Sequence, residues 1–211
     1  MKNLLQGVQI SVDVKVMSRN ILYVVPTFFI MSFLYLWSNH IAVTRLVENA
    51  ILLDQLIPFI GWSIIIYWLV LVVAITGVLL LRDIRHVHRL LAVNALSFLL
   101  NFMVWFSYPI VYPRTEHLLT GISGELFSIL YFLDTPANSF PSGHVSLMCL
   151  LAWTGMSLKG WRGHLLLVIS VLGVFSVFTT RQHTVIDAIG GAATVMIAYA
   201  VVQLYVRLKS E

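Results

Sequence analysis

Two histidines, one aspartate, two arginines and a Ser-Gly turn are the residues of this chain whose types and spacing could do chemistry. They fall in three segments: Tyr112-Pro113-Arg114-Thr115, the run Asp134 to His144 ending in Pro141-Ser142-Gly143-His144, and Arg181 to Asp187. His183 and Asp187 are four residues apart, so on a helix they share a face. The Asp187 carboxylate could then accept from one imidazole nitrogen of His183, leaving the other as a base or nucleophile. Gly143 lets backbone N–H groups approach an anion, and the helix start that follows favours negative charge. Ser142 could donate a hydrogen bond there, and His144 could supply a proton to a leaving oxygen. The guanidinium forks of Arg114 and Arg181 suit bidentate contact with phosphate oxygens. Together these side chains describe a phosphate site with an acid and a nucleophile. No cluster has zinc-ligand spacing and no carboxylate group suggests a magnesium cage, so neither a metal nor a cofactor is expected.

Each element also has a plainer reading. Ser142 can simply cap a helix, a histidine beside an acid can close a helix end, and arginines at a membrane edge contact headgroups. What favours chemistry is that three distant segments carry such residues to one membrane face, where ionisable groups are costly.

The elements that must position these residues follow from composition. The chain has 211 residues, 59% of them hydrophobic and 10% charged, with mean hydropathy +0.91. A soluble domain carries about 25% charged residues, so a water-soluble globule and a disordered chain are both excluded. The net charge of +4 does not point to nucleic acid, because the basic residues are scattered between apolar runs. The expected fold class is all-α: a polytopic membrane protein with six transmembrane helices. The spans read as Ile21–Trp37, Trp62–Leu81, Leu90–Val111, His144–Leu158, His164–Thr179 and Val185–Val206. The fourth and fifth are short and joined by the polar turn Lys159–Gly163. Ile122–Leu133 is shorter still and reads as interfacial or re-entrant.

Charge sets the expected orientation. With both termini inside, ten of the 13 basic residues are cytoplasmic, and only Arg45, Arg114 and Arg181 are outside, as the positive-inside rule prescribes. The three chemical segments then share the outer face. Residues 1–20 read as a cytoplasmic or interfacial segment, 21–206 as one membrane domain and 207–211 as a cytoplasmic tail. The first span has no small-residue cleavage site and reads as retained. In the N-terminal segment Leu5, Val8, Val12 and Val16 fit the face of an amphipathic interfacial helix. Cys149 lies in an apolar run and, as the sole cysteine, has no internal disulfide partner.

The remaining candidates read as structural. His40, His86, His88, His117 and His164 suit solvent or headgroup contact. Asp54, Pro58, Trp62 and Tyr67 could line a pocket entrance, with interfacial anchoring favoured for the aromatics. Asn94 and Asn101 suit helix joining, and Gly190-Gly191 suits close packing.

At the chemical residues the sequence resembles the type 2 phosphatidic acid phosphatase superfamily of membrane lipid phosphatases. Its three motifs are Lys-x6-Arg-Pro, Pro-Ser-Gly-His and Ser-Arg-x5-His-x3-Asp. The second is intact at Pro141–His144, and the third keeps His183 and Asp187. Val177 stands where the third motif has arginine, with Arg181 as its replacement. In the first motif Arg114 matches, while Ser107 and Thr115 replace lysine and proline. The variant pattern looks like the branch containing inositol phosphorylceramide synthase and relatives of sphingomyelin synthase. The resemblance, over roughly residues 50–195, implies that His183 attacks phosphorus to form a phosphohistidine and that Asp187 orients it. It implies that His144 protonates the leaving oxygen, while Arg114, Arg181, Ser142 and Gly143 hold the phosphoryl oxygens. The expected activity is a metal-independent lipid phosphate phosphatase acting on phosphatidic acid, phosphatidylglycerol phosphate or an isoprenyl diphosphate. Its expected place is the cell (inner) membrane, with the site facing the outside or periplasm. A phosphotransferase with an alcohol acceptor is the alternative, and a non-catalytic transporter or scaffold on the same fold the second alternative. The sequence does not name the lipid or an oligomeric state.

Overall fold

The computed structural model describes residues 14–41, 50–112 and 119–210. Among them the chain is all-helical: α1 (Val14–Ile41), α2 (Leu52–Leu56), α3 (Ile64–Val78, entered through a 3-10 turn at Gly61–Ser63), α4 (Ile84–Ser107), α5 (Gly121–Leu133), α6 (Gly143–Ser157), α7 (Trp161–Thr179) and α8 (Val185–Leu208). Five helical stretches are long and apolar enough to cross a membrane: α1, Gly61–Val78, α4, α7 and α8. They bury little of their apolar surface against each other, and Phe33, Phe132, Val171 and Met196 are among many large side chains turned outward. In water that exposure would be unfavourable, whereas in lipid it is the expected state.

α6 lies within one residue of the expected fourth span at both ends and is as short as expected. Its 15 residues rise about 22 Å, short of the roughly 30 Å hydrocarbon core. It begins at Gly143 because Ser142 caps it, its Oγ accepting from Val145 N at 3.2 Å. It ends at Ser157, whose Oγ bonds back to Trp153 O at 2.9 Å. The helix sits centrally, packed on α3, α4, α7 and α8. Its turn to α7 is tight, and a Cβ on Gly163 would lie 2.5 Å from the carbonyl oxygen of Gly155. Only glycine permits backbones to approach that closely, which is how membrane helices gain packing contact. The segment expected to be interfacial forms α5, a 13-residue apolar helix.

Polar side chains join the helices inside the bundle. Asn101 Nδ2 of α4 donates to Ser146 Oγ of α6 at 3.1 Å. Ser97 and Thr194 hydroxyls bond at 3.1 Å between α4 and α8, and Asn94 meets Met31 of α1. The helix-joining expectation for both asparagines therefore matches their contacts. At one end of the bundle, Asn20 Nδ2 donates to Leu81 O at 2.7 Å and Arg19 donates to Arg82 O at 3.1 Å. His86 bonds Ser157 Oγ at 2.9 Å at that same end. The N-termini of α6 and α8 and the end of α7 lie at the other, where the histidines are.

Candidate active site

Two helix entries build the site. α8 opens with a capping box: Thr184 Oγ1 accepts from Asp187 N at 3.2 Å, and Asp187 Oδ2 accepts from Thr184 N at 2.8 Å. Both side chains are fully buried, so the pair satisfies backbone donors that water cannot reach. α6 opens at Ser142, whose backbone N–H donates to Asp187 O at 2.9 Å. Ser146 Oγ also donates to Gly191 O at 2.9 Å. Gly191 allows this junction, because a Cβ there would sit 2.2 Å from Ser142 O. The expected close packing at Gly190-Gly191 is thus observed, with the Phe140 ring lying against Gly190.

The junction brings His144 and His183 together. His144 Nδ1 lies 3.2 Å from His183 Nε2. His183 is buried, and its Nδ1 lies 2.9 Å from the carbonyl oxygen of Ser139. A carbonyl only accepts, so Nδ1 of His183 carries a proton, and in the neutral ring Nε2 holds the lone pair. Asp187 Oδ2 stands 3.6 Å from the same Nδ1, too far for a hydrogen bond. The Ser139 carbonyl is thus the hydrogen-bond acceptor at His183 Nδ1, while Asp187 caps α8 and lies beside the ring. On the other side, Tyr67 Oη of α3 contacts His144 Nε2 at 2.5 Å, with the two rings packed together.

The other expected site residues are placed as follows. Ser142 is fully buried, with its Oγ accepting in the cap. Gly143 lies under Trp105, whose ring a Cβ would meet at 3.1 Å. Trp105 in turn donates Nε1–H to Pro141 O at 3.0 Å, which holds the Pro-Ser-Gly-His turn in place. Arg181 has a positive φ of 56°. Its guanidinium donates to Asp54 O at 2.7 Å and to Ile57 O, so this fork clasps a backbone loop. Asp54 completes the clasp, its Oδ1 accepting from Val185 N at 2.8 Å. Arg114 and the Pro113–Thr115 part of the first segment lie outside the described residues, as do His117 and residues 1–13. The chain just before them is anchored, with Tyr112 N donating to Ser139 Oγ at 3.0 Å. Among the described residues no three of His, Cys, Asp and Glu converge as metal ligands.

Two cavities adjoin the histidines. An apolar groove of about 380 Å³ runs between α1, α3, α4 and α6, from Val24 and Thr154 to Trp105 and His144. A second cavity of about 10 Å³ lies beside His183, lined by Tyr35, Asp134, Asn138 and Gln182 among others. Asn138 Oδ1 and Gln182 Oε1 are buried and have no hydrogen-bond partner among the described residues. Asp134 and Tyr35 border both cavities and bond each other at 2.7 Å.

Sequence reasoning missed Ser139, Trp105 and the role of Tyr67. Tyr67 is no interfacial anchor: it is buried and aimed at His144. Its signal was a hydroxyl inside an otherwise apolar run, Ile64 to Ile75. Trp62, by contrast, is exposed as an anchor would be. No family model, curated protein or solved structure shows significant similarity to this chain.

Proposed function

We propose that the chain is a metal-independent lipid phosphate phosphatase, related to the type 2 phosphatidic acid phosphatases, working through a phosphohistidine on His183. One observation carries this reading: His144 Nδ1 and His183 Nε2 meet at 3.2 Å, and His144 also lines the end of a long apolar groove. A lipid-borne phosphate fits that combination, with its hydrocarbon in the groove and its phosphorus between the imidazoles. His183 Nε2 attacks phosphorus, the bond to the leaving oxygen breaks, and the proton on His144 Nδ1 moves to that oxygen. Water then attacks the phosphohistidine with His144 as base. Asp187 supports the positive ring that forms, and Arg114 supplies charge to the phosphoryl oxygens. The cavity beside His183 has room for about one water, which favours water over a bulky alcohol as acceptor.

In this proposal α6 is the sixth crossing. It packs on α3, α4, α7 and α8, so it does not need the length of a lipid-exposed helix. Both termini are then cytoplasmic. Arg82, Arg85, Lys159, Arg162 and Lys209 lie on the inner side, and the histidines face outward. The test is phosphate release from phosphatidic acid or an isoprenyl diphosphate by purified protein in EDTA. Activity should persist in EDTA and vanish in His183→Ala, and an active His183→Ala protein overturns the proposal. Chromatography with added alcohols separates hydrolysis from headgroup transfer.

A further inference from the structure

We infer that α2 is a lipid-surface anchor: its leucines enter the membrane at the histidine end of the bundle, and its inner side holds the turn that carries His183. The inference needs the membrane setting and not the phosphatase reading. The sequence of α2 is Leu-Leu-Asp-Gln-Leu. Leu52, Leu53 and Leu56 are 74%, 50% and 72% exposed, while Asp54 is only 4% exposed. At about 100° per residue the three leucines share one arc of the helix, and Asp54 lies off that arc. One turn therefore has an apolar outer side and a carboxylate on its inner side.

The inner side is fastened to the turn between α7 and α8. Asp54 Oδ1 accepts at 2.8 Å from the backbone N–H of Val185, the first residue of α8. Its Oδ2 accepts from Ile51 N at 2.8 Å. Arg181 donates to Asp54 O at 2.7 Å and to Ile57 O. Farther along, Ile60 N donates to Thr179 O at 2.8 Å, and Thr179 Oγ1 donates to Ser63 Oγ at 2.8 Å. The stretch 51–63 is thus tied at both ends to the residues that flank His183. Lipid is the occupant that fits the leucines. From residue 50 to residue 81 the chain carries a single charged side chain, Asp54, and that one is turned inward. The apolar side continues into Trp62, which is exposed at the start of the span Gly61–Val78. Tryptophan at the end of a span marks the membrane–water boundary. An amphipathic segment at that level buries its apolar side about 5–10 Å into the headgroup and acyl boundary. With α2 seated there, the clasp through Asp54 and Arg181 fixes the depth of His183 relative to the lipid surface.

The test is spin labelling of the full chain in vesicles of phosphatidylcholine and phosphatidylglycerol. The sole cysteine is removed as Cys149→Ala, with Cys149→Ser as a second background. A nitroxide is then attached at Leu53→Cys or Leu56→Cys. Val171→Cys, on the exposed side of α7, is the lipid reference, and Ser210→Cys, at the exposed end of the chain, is the water reference. Oxygen concentrates in lipid and a nickel chelate in water, so their relative effects on the label report depth. Labels at 53 and 56 should be relaxed chiefly by oxygen, as at 171. Relaxation chiefly by the nickel chelate, as at 210, overturns the anchor. Poor access to both reagents also overturns it, and spin–spin broadening lost on dilution with unlabelled protein then assigns the face to a second copy. The clasp has its own readout. Asp54→Ala should narrow the spectrum of the label at 56, and Asp54→Asn, which keeps an oxygen for Val185 N, should restore most of the width. Val185→Pro removes the same bond from the other side, at a helix position that tolerates proline. It should narrow the spectrum as Asp54→Ala does. An unchanged spectrum in both variants overturns the link to α8. No measurement here uses phosphate release, so failure of the anchor and failure of the proposed activity are told apart.

Discussion

Replacing Gly191 by alanine tests whether the junction of α6 and α8 sets the distance between the histidines. The new Cβ would lie 2.2 Å from Ser142 O, 3.1 Å from Ser142 C and 3.3 Å from Ser146 Oγ. Ordinary contact needs about 1 Å more than the shortest of these. The atom in the way is backbone and cannot swing aside. Ser142 O already accepts from Ser146 N at 3.1 Å, while Ser142 N is held by Asp187 O at 2.9 Å. The strain must move the Pro-Ser-Gly-His turn away from α8, and His144 is two residues along. Overpacking of this kind costs about 1–3 kcal/mol, which lowers Tm by about 2–4 °C per kcal/mol in a chain of this size. A displacement of about 1 Å at a reacting group costs on the order of 100-fold in rate. Thermal unfolding in detergent followed by tryptophan fluorescence reads the first effect, and phosphate release reads the second. Gly124→Ala is the control, since its Cβ would meet Leu119 O at 2.5 Å within the α5 entry. It should lose stability and keep its rate. A Gly191→Ala protein with wild-type Tm and kcat would refute the reasoning.

Two further outcomes follow from the contacts at the two ends of the bundle. Arg181→Ala frees the loop at Asp54 and Ile57, so Tm should fall while KM stays near wild type. A KM rise without a Tm change would instead mark Arg181 as a phosphate ligand. Asp83 accepts from Arg85 N at 3.0 Å at the start of α4, and this backbone hydrogen bond holds its carboxyl below the ordinary aspartate range. Its stabilisation is present above the unfolded pKa and disappears as pH falls through the lowered folded one. Asp83→Ala should therefore lower Tm at neutral pH, with the difference shrinking below about pH 4.

Much of this protein was legible from composition and local pattern. Long apolar runs become helices in any solvent that withholds hydrogen bonds from the backbone, so α1, α3, α4, α7 and α8 were readable directly. His144 and His183 stood out because charged and polar side chains are scarce in the chain, and each lies at a helix entry. Local spacing misjudged what each side chain would bond to. The four-residue spacing of His183 and Asp187 suggested a side-chain pair, and the carboxylate does lie 3.6 Å from His183 Nδ1, but its Oδ2 also accepts from the backbone N–H of Thr184. Ser142 behaves in the same way, as a cap. Arg181 looked free for phosphate because the Asp54 loop lies 127 residues away in sequence.

Sequence alone determined that this chain is helical, has helices long and apolar enough to cross a membrane and carries two histidines at helix entries, since these depend on residue type and short-range periodicity. Only the tertiary structure decided which nitrogen faces which. His183 Nδ1 meets a carbonyl 44 residues away, and the His144 ring meets a hydroxyl 77 residues away. Hydrogen-bond direction is a property of the partners that meet, and no spacing along the chain records it.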